Sequence, residues 1–194
     1  DWYRPFAARH VPVDVVSPSA DLSGYALVLA PSLNILDSRT GARLEAYVRN
    51  CGHPLLGPRS GMKDGDNALW PQRQPGPLAA LLGGRVENYY VLDEGIGVNG
   101  AALTGNARIW AEALSEPGAG TDVLARYGVG IGWLAEKPAL LRHQAGRGWI
   151  AYLGPLLDER GQSALTDWMI REAGIAVPWG DVPSDVELVE RERA

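Results

Sequence analysis

Several features that would assign a protein to a large functional class are scarce in this sequence. A single cysteine, Cys51, excludes an internal disulfide and leaves the redox compartment open. No apolar run approaches the ~20 residues of a membrane-spanning helix, and no secretory signal is visible. The net charge of −5 disfavours nucleic acid or an anionic membrane as the main partner. We therefore expect a cytoplasmic protein with neither of those partners.

The length and composition are those of one globular domain. The chain has 194 residues, of which 46% are apolar, enough for a sizeable core. It starts at DWYRPF without an initiator methionine and stops at VELVERERA. We expect residues 1–194 to be a single domain and a fragment of a larger protein.

The stretch from Val13 to Gly61 predicts the centre of a parallel sheet. Short apolar runs at Val13–Val16, Leu27–Ala30 and Pro54–Leu56 are typical of strands buried on both faces. A helix is predicted between Asp37 and Gly52. Asp37 or Ser38 can cap its start, and Gly52 suits the left-handed residue after its last turn. The order strand, helix, strand with short joints favours a crossover within one sheet.

The remaining chain contains further short elements. Residues 109–114 alternate and predict a half-exposed strand, whereas the Gly-rich residues 93–107 predict irregular structure. The other predicted elements are a helix near Trp2–Arg9, an exposed loop at 62–76, a helix at 77–82, strands at 86–92, 123–127, 139–143, 149–153 and 186–189, a hairpin turn at 144–148, and a helix at 161–173.

The motifs that carry chemistry elsewhere are weak here. Gly95–Gly100 spells GxGxxG, but Gly105 interrupts the helix that a dinucleotide site needs, so we expect a surface loop. Asp64–Asn67 resembles the start of a calcium loop without the later Glu, which indicates a solvated turn. The three histidines, His10, His53 and His143, lack metal-ligand spacing. We predict no metal, no cofactor and a packing role for Cys51 on the apolar helix face.

The turn Gly57–Gly61 has the Gly-x-Nuc-x-Gly outline of a nucleophile elbow. Arg59 occupies the central position, and a protonated guanidinium has no usable lone pair for attack. We interpret the segment as a tight turn after a strand. Its fixed positive charge is suited to a partner's carboxylate.

With these residues described, a family resemblance can be stated. The segments VPVDVVSPSADLSGYALVLAPSL, LEAYVRNCG, PRSGMKDGDN and PALLRHQAGRGWIAYLG resemble the trimerisation domain of family 42 β-galactosidases. The resemblance implies a flavodoxin-like α/β fold, a three-layer sandwich with a mainly parallel sheet, similar to class I glutamine amidotransferases without their nucleophile. It also implies a homotrimeric parent, whose catalytic glutamates lie in a barrel that is absent from this chain. No catalytic residue is therefore predicted here, and the chain alone is expected to be inactive.

Three functions remain open from the residues. The first is a subunit-contacting domain, with its contact on Arg59, Lys63, Asp64 and Trp70, since Arg and Trp are enriched at interface hot spots. The second is a free-standing hydrolase or amidotransferase, for which Cys51 and Ser60 are the nearby nucleophile candidates. The third is a sugar-binding module, because seven Trp and seven Tyr offer stacking faces.

Overall fold

The computed structural model describes residues 2–129, 132–177, 182, 183 and 186. The helices are α1 (Arg4–Ala7), α2 (Ser38–Arg49), α3 (Ala79–Leu82) and α4 (Glu159–Glu172), with 3-10 turns at Gly76–Leu78 and Gly132–Leu134. The strands are β1 (Leu27–Ala30), β2 (His53–Leu56), β3 (Val86–Val91), β4 (Ile96–Asn99), β5 (Thr104–Ala107), β6 (Trp110–Leu114), β7 (Thr121–Tyr127), β8 (Pro138–Ala145) and β9 (Gly148–Leu153). Among these residues, no helix is long and apolar enough to cross a membrane.

The fold corrects the predicted flavodoxin-like sandwich. The described strands form a curled mixed sheet in the order β1-β2-β9-β8-β7-β4-β5, beside a two-stranded sheet of β3 and β6. The pairs β1–β2 and β2–β9 are parallel, whereas the pairs from β9 to β5 are antiparallel. Two residues join β8 to β9, and so short a joint permits only an antiparallel hairpin. The mainly parallel, amidotransferase-like description is therefore wrong.

Two hydrophobic clusters fill the opposite faces of this sheet. Side chains alternate along a strand, so Ala151 and Leu153 of β9 enter one cluster, and Ile150 and Tyr152 enter the other. Helix α4 covers the first cluster with Leu165, Trp168 and Met169. Helix α2 covers the second with Leu44, Tyr47 and Val48. The helices are few, and each covers a limited part of the sheet.

The predicted stretch around β1, α2 and β2 is confirmed in most respects. Leu27–Ala30 is β1 and pairs in parallel with β2. Asp37 caps α2, since its Oδ1 accepts a hydrogen bond from the Thr40 N–H at 2.7 Å. The left-handed residue after α2 is Cys51, with φ of 74°, and not Gly52 as predicted. Gly52 is required for another reason, because a Cβ there would collide with the Tyr47 ring.

Other local predictions fail. Val13–Val16 is not a strand, and Val15 is 97% exposed. Residues 93–107, predicted to be irregular, contain the hairpin of β4 and β5, so Gly95–Gly100 is largely strand and not a surface loop. Strand β6, predicted to be half exposed, is buried from Ala111 to Leu114. The final predicted strand, 186–189, lies outside the described residues except for Val186.

Strand β3 is an edge in the described structure, since it pairs only with β6. Two backbone groups of β3 make hydrogen bonds to side chains, apart from its pairing with β6. The Tyr89 N–H donates to Asn88 Oδ1 at 2.9 Å. The Glu87 carbonyl accepts a hydrogen bond from the Arg73 guanidinium.

Candidate functional site

The turn Gly57–Gly61 follows β2 and is as tight as the sequence predicts. Gly57 lies against the Pro31 carbonyl, where a Cβ would collide. Arg59 has a φ of 67°, a left-handed conformation that is uncommon for a side chain other than glycine. Gly61 has the same φ of 67°. The central position of the elbow therefore has an unusual backbone and carries a guanidinium.

Ser60 stabilises this turn and is not placed for attack. Its side chain is fully buried, and its Oγ donates to the Ala30 carbonyl at 3.2 Å and accepts from the Leu33 N–H at 3.0 Å. These bonds tie the end of β2 to the loop after β1. In the described hydrogen bonds, Ser60 contacts backbone groups and no imidazole.

Cys51, the other nucleophile candidate, lies at the end of α2, away from the turn. It is exposed, which corrects the predicted packing role on the apolar face. The left-handed backbone at Cys51 turns the chain after Asn50, so the side chain leaves the helix surface. Neither candidate is part of a nucleophile–base pair in the described structure.

A buried carboxylate lies directly behind Arg59. Glu112 of β6 has no exposed surface, and its carboxylate accepts three hydrogen bonds. The donors are the Tyr152 hydroxyl at 2.7 Å, the Arg59 backbone N–H at 3.0 Å and Trp110 Nε1 at 3.2 Å. Burial raises the pKa of Glu112, against the opposite effect of these donors. The carboxylate thus fixes the turn to strand β6.

Two buried tyrosines complete this polar cluster. Tyr127 donates from its hydroxyl to the Glu112 carbonyl at 2.9 Å. Burial raises the pKa of both Tyr127 and Tyr152 well above the ordinary tyrosine value, and the nearby Glu112 charge adds to the effect. Both hydroxyls therefore stay protonated and act as hydrogen-bond donors to Glu112.

The Arg59 side chain lies on the outer surface above this cluster. Its guanidinium carbon is 5.5 Å from the centroid of the Trp110 ring, a cation–π arrangement. Trp110 in turn stacks on Tyr89, with ring centroids 5.1 Å apart and planes at 12°. Arg59 is exposed, so this stack faces solvent.

The loop that follows the turn is held by its own hydrogen bonds. The Lys63 backbone forms isolated β-bridges with Ile35 on one side and Leu69 on the other. Its side-chain Nζ donates to Asn67 Oδ1 at 2.8 Å. Asp64 Oδ1 accepts from the Asp66 and Ala68 N–H groups at 3.0 and 2.9 Å, so its carboxylate closes the turn. The pattern is that of the predicted solvated turn.

Trp70 is half-buried at the end of this loop. Its Nε1 donates to the Leu36 carbonyl at 3.0 Å, and its ring packs on Gly76. Much of Trp70 therefore covers its own domain. Of the four residues predicted for the contact, Arg59 presents its charged group outward. Lys63 and Asp64 use their polar groups within the loop, and Trp70 uses its indole N–H on the Leu36 carbonyl.

Sequence reasoning missed Glu112, Trp110 and Tyr89. Glu112 was interpreted as an ordinary polar residue of a half-exposed strand. The available signal was its position between Ala111 and Ala113, two small apolar residues in a run that ends at Leu114. A single acid in such a run is a candidate buried carboxylate, and buried acids need donors.

Comparison with known proteins decides the family. The profile described as the β-galactosidase trimerisation domain matches residues 1–176. The chain belongs to this family. Among curated relatives, β-galactosidase Bga of Halorubrum lacusprofundi is 34% identical over 188 residues, and BgaH of Haloferax lucentense is 33% identical over 195 residues.

These matches cover 90% and 98% of this chain but 26% and 28% of the relatives, so the chain spans about a quarter of their length. The solved β-galactosidase of Halorubrum lacusprofundi superposes with a TM-score of 0.83 at 36% identity, over 90% of this chain and 26% of that one. That of Rahnella sp. R3 superposes with the same score at 27% identity and the same coverage. The trimerisation domain is thus a small part of these proteins.

Proposed function

We propose that this chain is the non-catalytic, subunit-contacting domain of a β-galactosidase, and that its parent is a homotrimer. The observation that carries the proposal is the composition of the elbow. Its centre is a guanidinium, and the adjacent hydroxyl of Ser60 is buried between two backbone groups. This corner is built to contact another molecule and lacks a nucleophile.

The relatives support the rest of the proposal. They are named β-galactosidases and are about four times as long as this chain. Hydrolysis of terminal β-galactosides is therefore proposed for the complete natural polypeptide, with chemistry outside these 194 residues. A cytoplasmic location belongs to the same proposal, and fractionation of the source cells tests it.

The contact is proposed to include the loop from Arg59 to Trp70. The test is the molar mass of the complete polypeptide by light scattering across a dilution series, for the wild type and for Arg59→Ala combined with Trp70→Ala. We expect a trimer for the wild type and dissociation at higher concentration for the variant. Arg147→Ala combined with Trp133→Ala is the matched control, because both residues are exposed elsewhere on the domain.

An unchanged trimer in the first variant removes the loop from the interface. A wild type that is monomeric throughout the dilution series overturns the proposed function itself. A separate assay measures turnover of a β-galactoside, which Cys51→Ala should leave unchanged because Cys51 is exposed and outside the proposed contact.

A further inference from the structure

One face of the two-stranded sheet carries exposed aromatic and apolar side chains that sequence reasoning did not identify. In the β3–β6 register, Val91 lies opposite Trp110, and Tyr89 lies opposite Glu112. Opposed residues of an antiparallel pair point to the same face, so Val91, Tyr89 and Trp110 share one face with Glu112. Tyr90 points the other way and packs against the core. Tyr89 is 51% exposed and Val91 is 72% exposed.

Arg59 supplies the polar part of this surface, because its guanidinium lies over the Trp110 ring. We call the set Val91, Tyr89, Trp110 and Arg59 the aromatic face. A guanidinium carries five N–H donors in a planar fork. In the described structure, the hydrogen bonds of Arg59 are made by its backbone, and no carboxylate among the described residues forms an ion pair with its side chain. The fork is therefore available to a ligand.

The aromatic face is built on a buried polar support. Glu112 Oε1 accepts hydrogen bonds from both the Arg59 backbone N–H and the Trp110 indole. Its other oxygen accepts one from the buried Tyr152 hydroxyl. Tyr89 stacks on the indole that Glu112 holds. The indole and the Arg59 backbone are therefore fixed before any ligand arrives, which lowers the entropic cost of binding.

The local charge favours a neutral ligand. The Glu112 carboxylate lies behind Arg59 and attracts its guanidinium electrostatically. An anion placed on Arg59 would also be repelled by this carboxylate, whereas a hydroxyl group accepts a hydrogen bond from the fork without adding a charge. The ligand that fits therefore has hydroxyl groups for Arg59 and an apolar face for the rings of Tyr89 and Trp110.

A β-galactoside has both of these parts. Its axial hydroxyl at C4 leaves the C–H groups of C3, C4 and C5 on one side of the sugar ring, where they form an apolar patch that can stack on an aromatic ring. Its hydroxyl oxygens accept hydrogen bonds from a planar donor group. Binding sites for small molecules combine aromatic side chains with a few placed polar groups in the same way.

We infer that the aromatic face is a non-catalytic binding surface for a neutral β-galactoside, with the sugar ring on Tyr89 and Trp110 and its hydroxyls on the Arg59 guanidinium. The inference rests on the proposed function for the identity of the sugar and adds a ligand for this domain. Arg59 begins the loop proposed for the subunit contact, so the aromatic face lies at the border of that contact. An open surface touches one side of the ligand, and we expect a dissociation constant of about 1–10 mM.

The test uses the complete natural polypeptide and saturation-transfer difference NMR with methyl β-D-thiogalactoside, which resists hydrolysis. A saturating concentration of deoxygalactonojirimycin blocks the hydrolytic site, and loss of turnover verifies the block. We expect saturable binding by the wild type. Tyr89→Ser should raise the dissociation constant about tenfold or more, because a stacking ring is lost. Trp133→Ser is the matched control, since Trp133 is 81% exposed outside the aromatic face, and it should change the constant less than about twofold.

A second arm addresses the guanidinium and the sugar. Arg59→Lys keeps the positive charge but loses the planar fork, so it should weaken binding about threefold or more. Because the ligand is neutral, added salt should leave the wild-type affinity unchanged. Methyl β-D-thioglucoside, whose C–H group at C4 points to the opposite side of the ring, should bind more weakly. Native far-ultraviolet circular dichroism for each variant establishes that the domain is folded.

The outcomes separate the two claims. No saturable binding by the wild type, or equal binding by the wild type and Tyr89→Ser, overturns this inference and leaves the proposed function standing. An equal loss in Trp133→Ser also overturns it, because the effect is then not local. An affinity that falls with added salt, or equal binding of the thioglucoside, overturns the assigned ligand. A wild type that is monomeric and does not hydrolyse a β-galactoside overturns the proposed function, whatever the binding result.

Discussion

Removal of the Glu112 carboxylate should cost this domain a large part of its stability. In Glu112→Ala, the Tyr152 hydroxyl loses its acceptor at 2.7 Å within a fully buried site. An unsatisfied buried donor costs about 1–3 kcal/mol. The Arg59 N–H and Trp110 Nε1 are partly buried, and water can replace part of their lost bonds. We expect a total loss of about 3–5 kcal/mol, against the roughly 5–15 kcal/mol by which domains are stable.

The assay is urea unfolding followed by tryptophan fluorescence, since Trp110 touches the perturbed group. Glu112→Gln keeps the shape but has one acceptor oxygen, so at least one donor faces its amide N–H; we expect a loss of about 1–3 kcal/mol. Adding Tyr152→Phe to Glu112→Ala removes the hydroxyl that has lost its acceptor. The double variant should recover about 1 kcal/mol or more of the free energy of unfolding. A loss below about 1 kcal/mol in Glu112→Ala, or strict additivity with Tyr152→Phe, would refute the reasoning.

Three further predictions concern the same region and the end of α2. Burial raises the pKa of Glu112, so the native state holds that proton more tightly than the unfolded state. The associated stability is complete below the unfolded glutamate pKa and is lost as pH rises through the raised native pKa. The free energy of unfolding of the wild type minus that of Glu112→Gln should therefore fall across this window in urea titrations at stepped pH, and a flat difference contradicts it. Ser60→Ala should lose about 1–3 kcal/mol in the same assay, because the Leu33 N–H loses its acceptor; a neutral result would show that the turn does not depend on the hydroxyl. Cys51→Gly should gain about 1 kcal/mol, since glycine accepts the φ of 74° without steric cost, and a loss of stability would argue against a left-handed backbone there.

The sequence predicted elements whose signals are local. Leu27–Ala30 is a short apolar run closed by proline, and Asp37 precedes a helical period, so β1 and the start of α2 were found at the correct residues. The hairpin of β8 and β9 was also found, because the glycines at its turn lie between two apolar runs. Each of these features depends on residues that are near one another along the chain.

The failures came from contacts between distant segments. Glu112 contacts the turn Gly57–Gly61, more than 50 residues earlier in the chain, and Tyr152, 40 residues later. The strands β4 and β5 form despite their glycines, because Ile96, Val98 and Ala107 are packed in the core. The flavodoxin-like expectation was taken from the family resemblance, and the predicted parallel stretch at the start of the chain agreed with it. It did not account for the antiparallel pairs that make up the rest of the sheet.

Part of the candidate contact could be predicted from the sequence, because some of its residues are close together along the chain. Arg59, Lys63, Asp64 and Trp70 are close in sequence, and their composition indicated an interface. Tyr89 and Trp110 join Arg59 only through the stacking of β3 and β6 residues. A single sequence contains no signal for that pairing.

The hydrogen bonds to the Glu87 carbonyl and from the Tyr89 N–H of β3 have a consequence for solubility at high concentration. A bare strand edge recruits other strands without limit and leads to fibres. The Glu87 carbonyl and the Tyr89 N–H already bond Arg73 and Asn88, so an incoming strand loses two of the hydrogen bonds that it would make there. The edge of β3 therefore offers a second strand fewer free backbone partners than a bare edge of the same length.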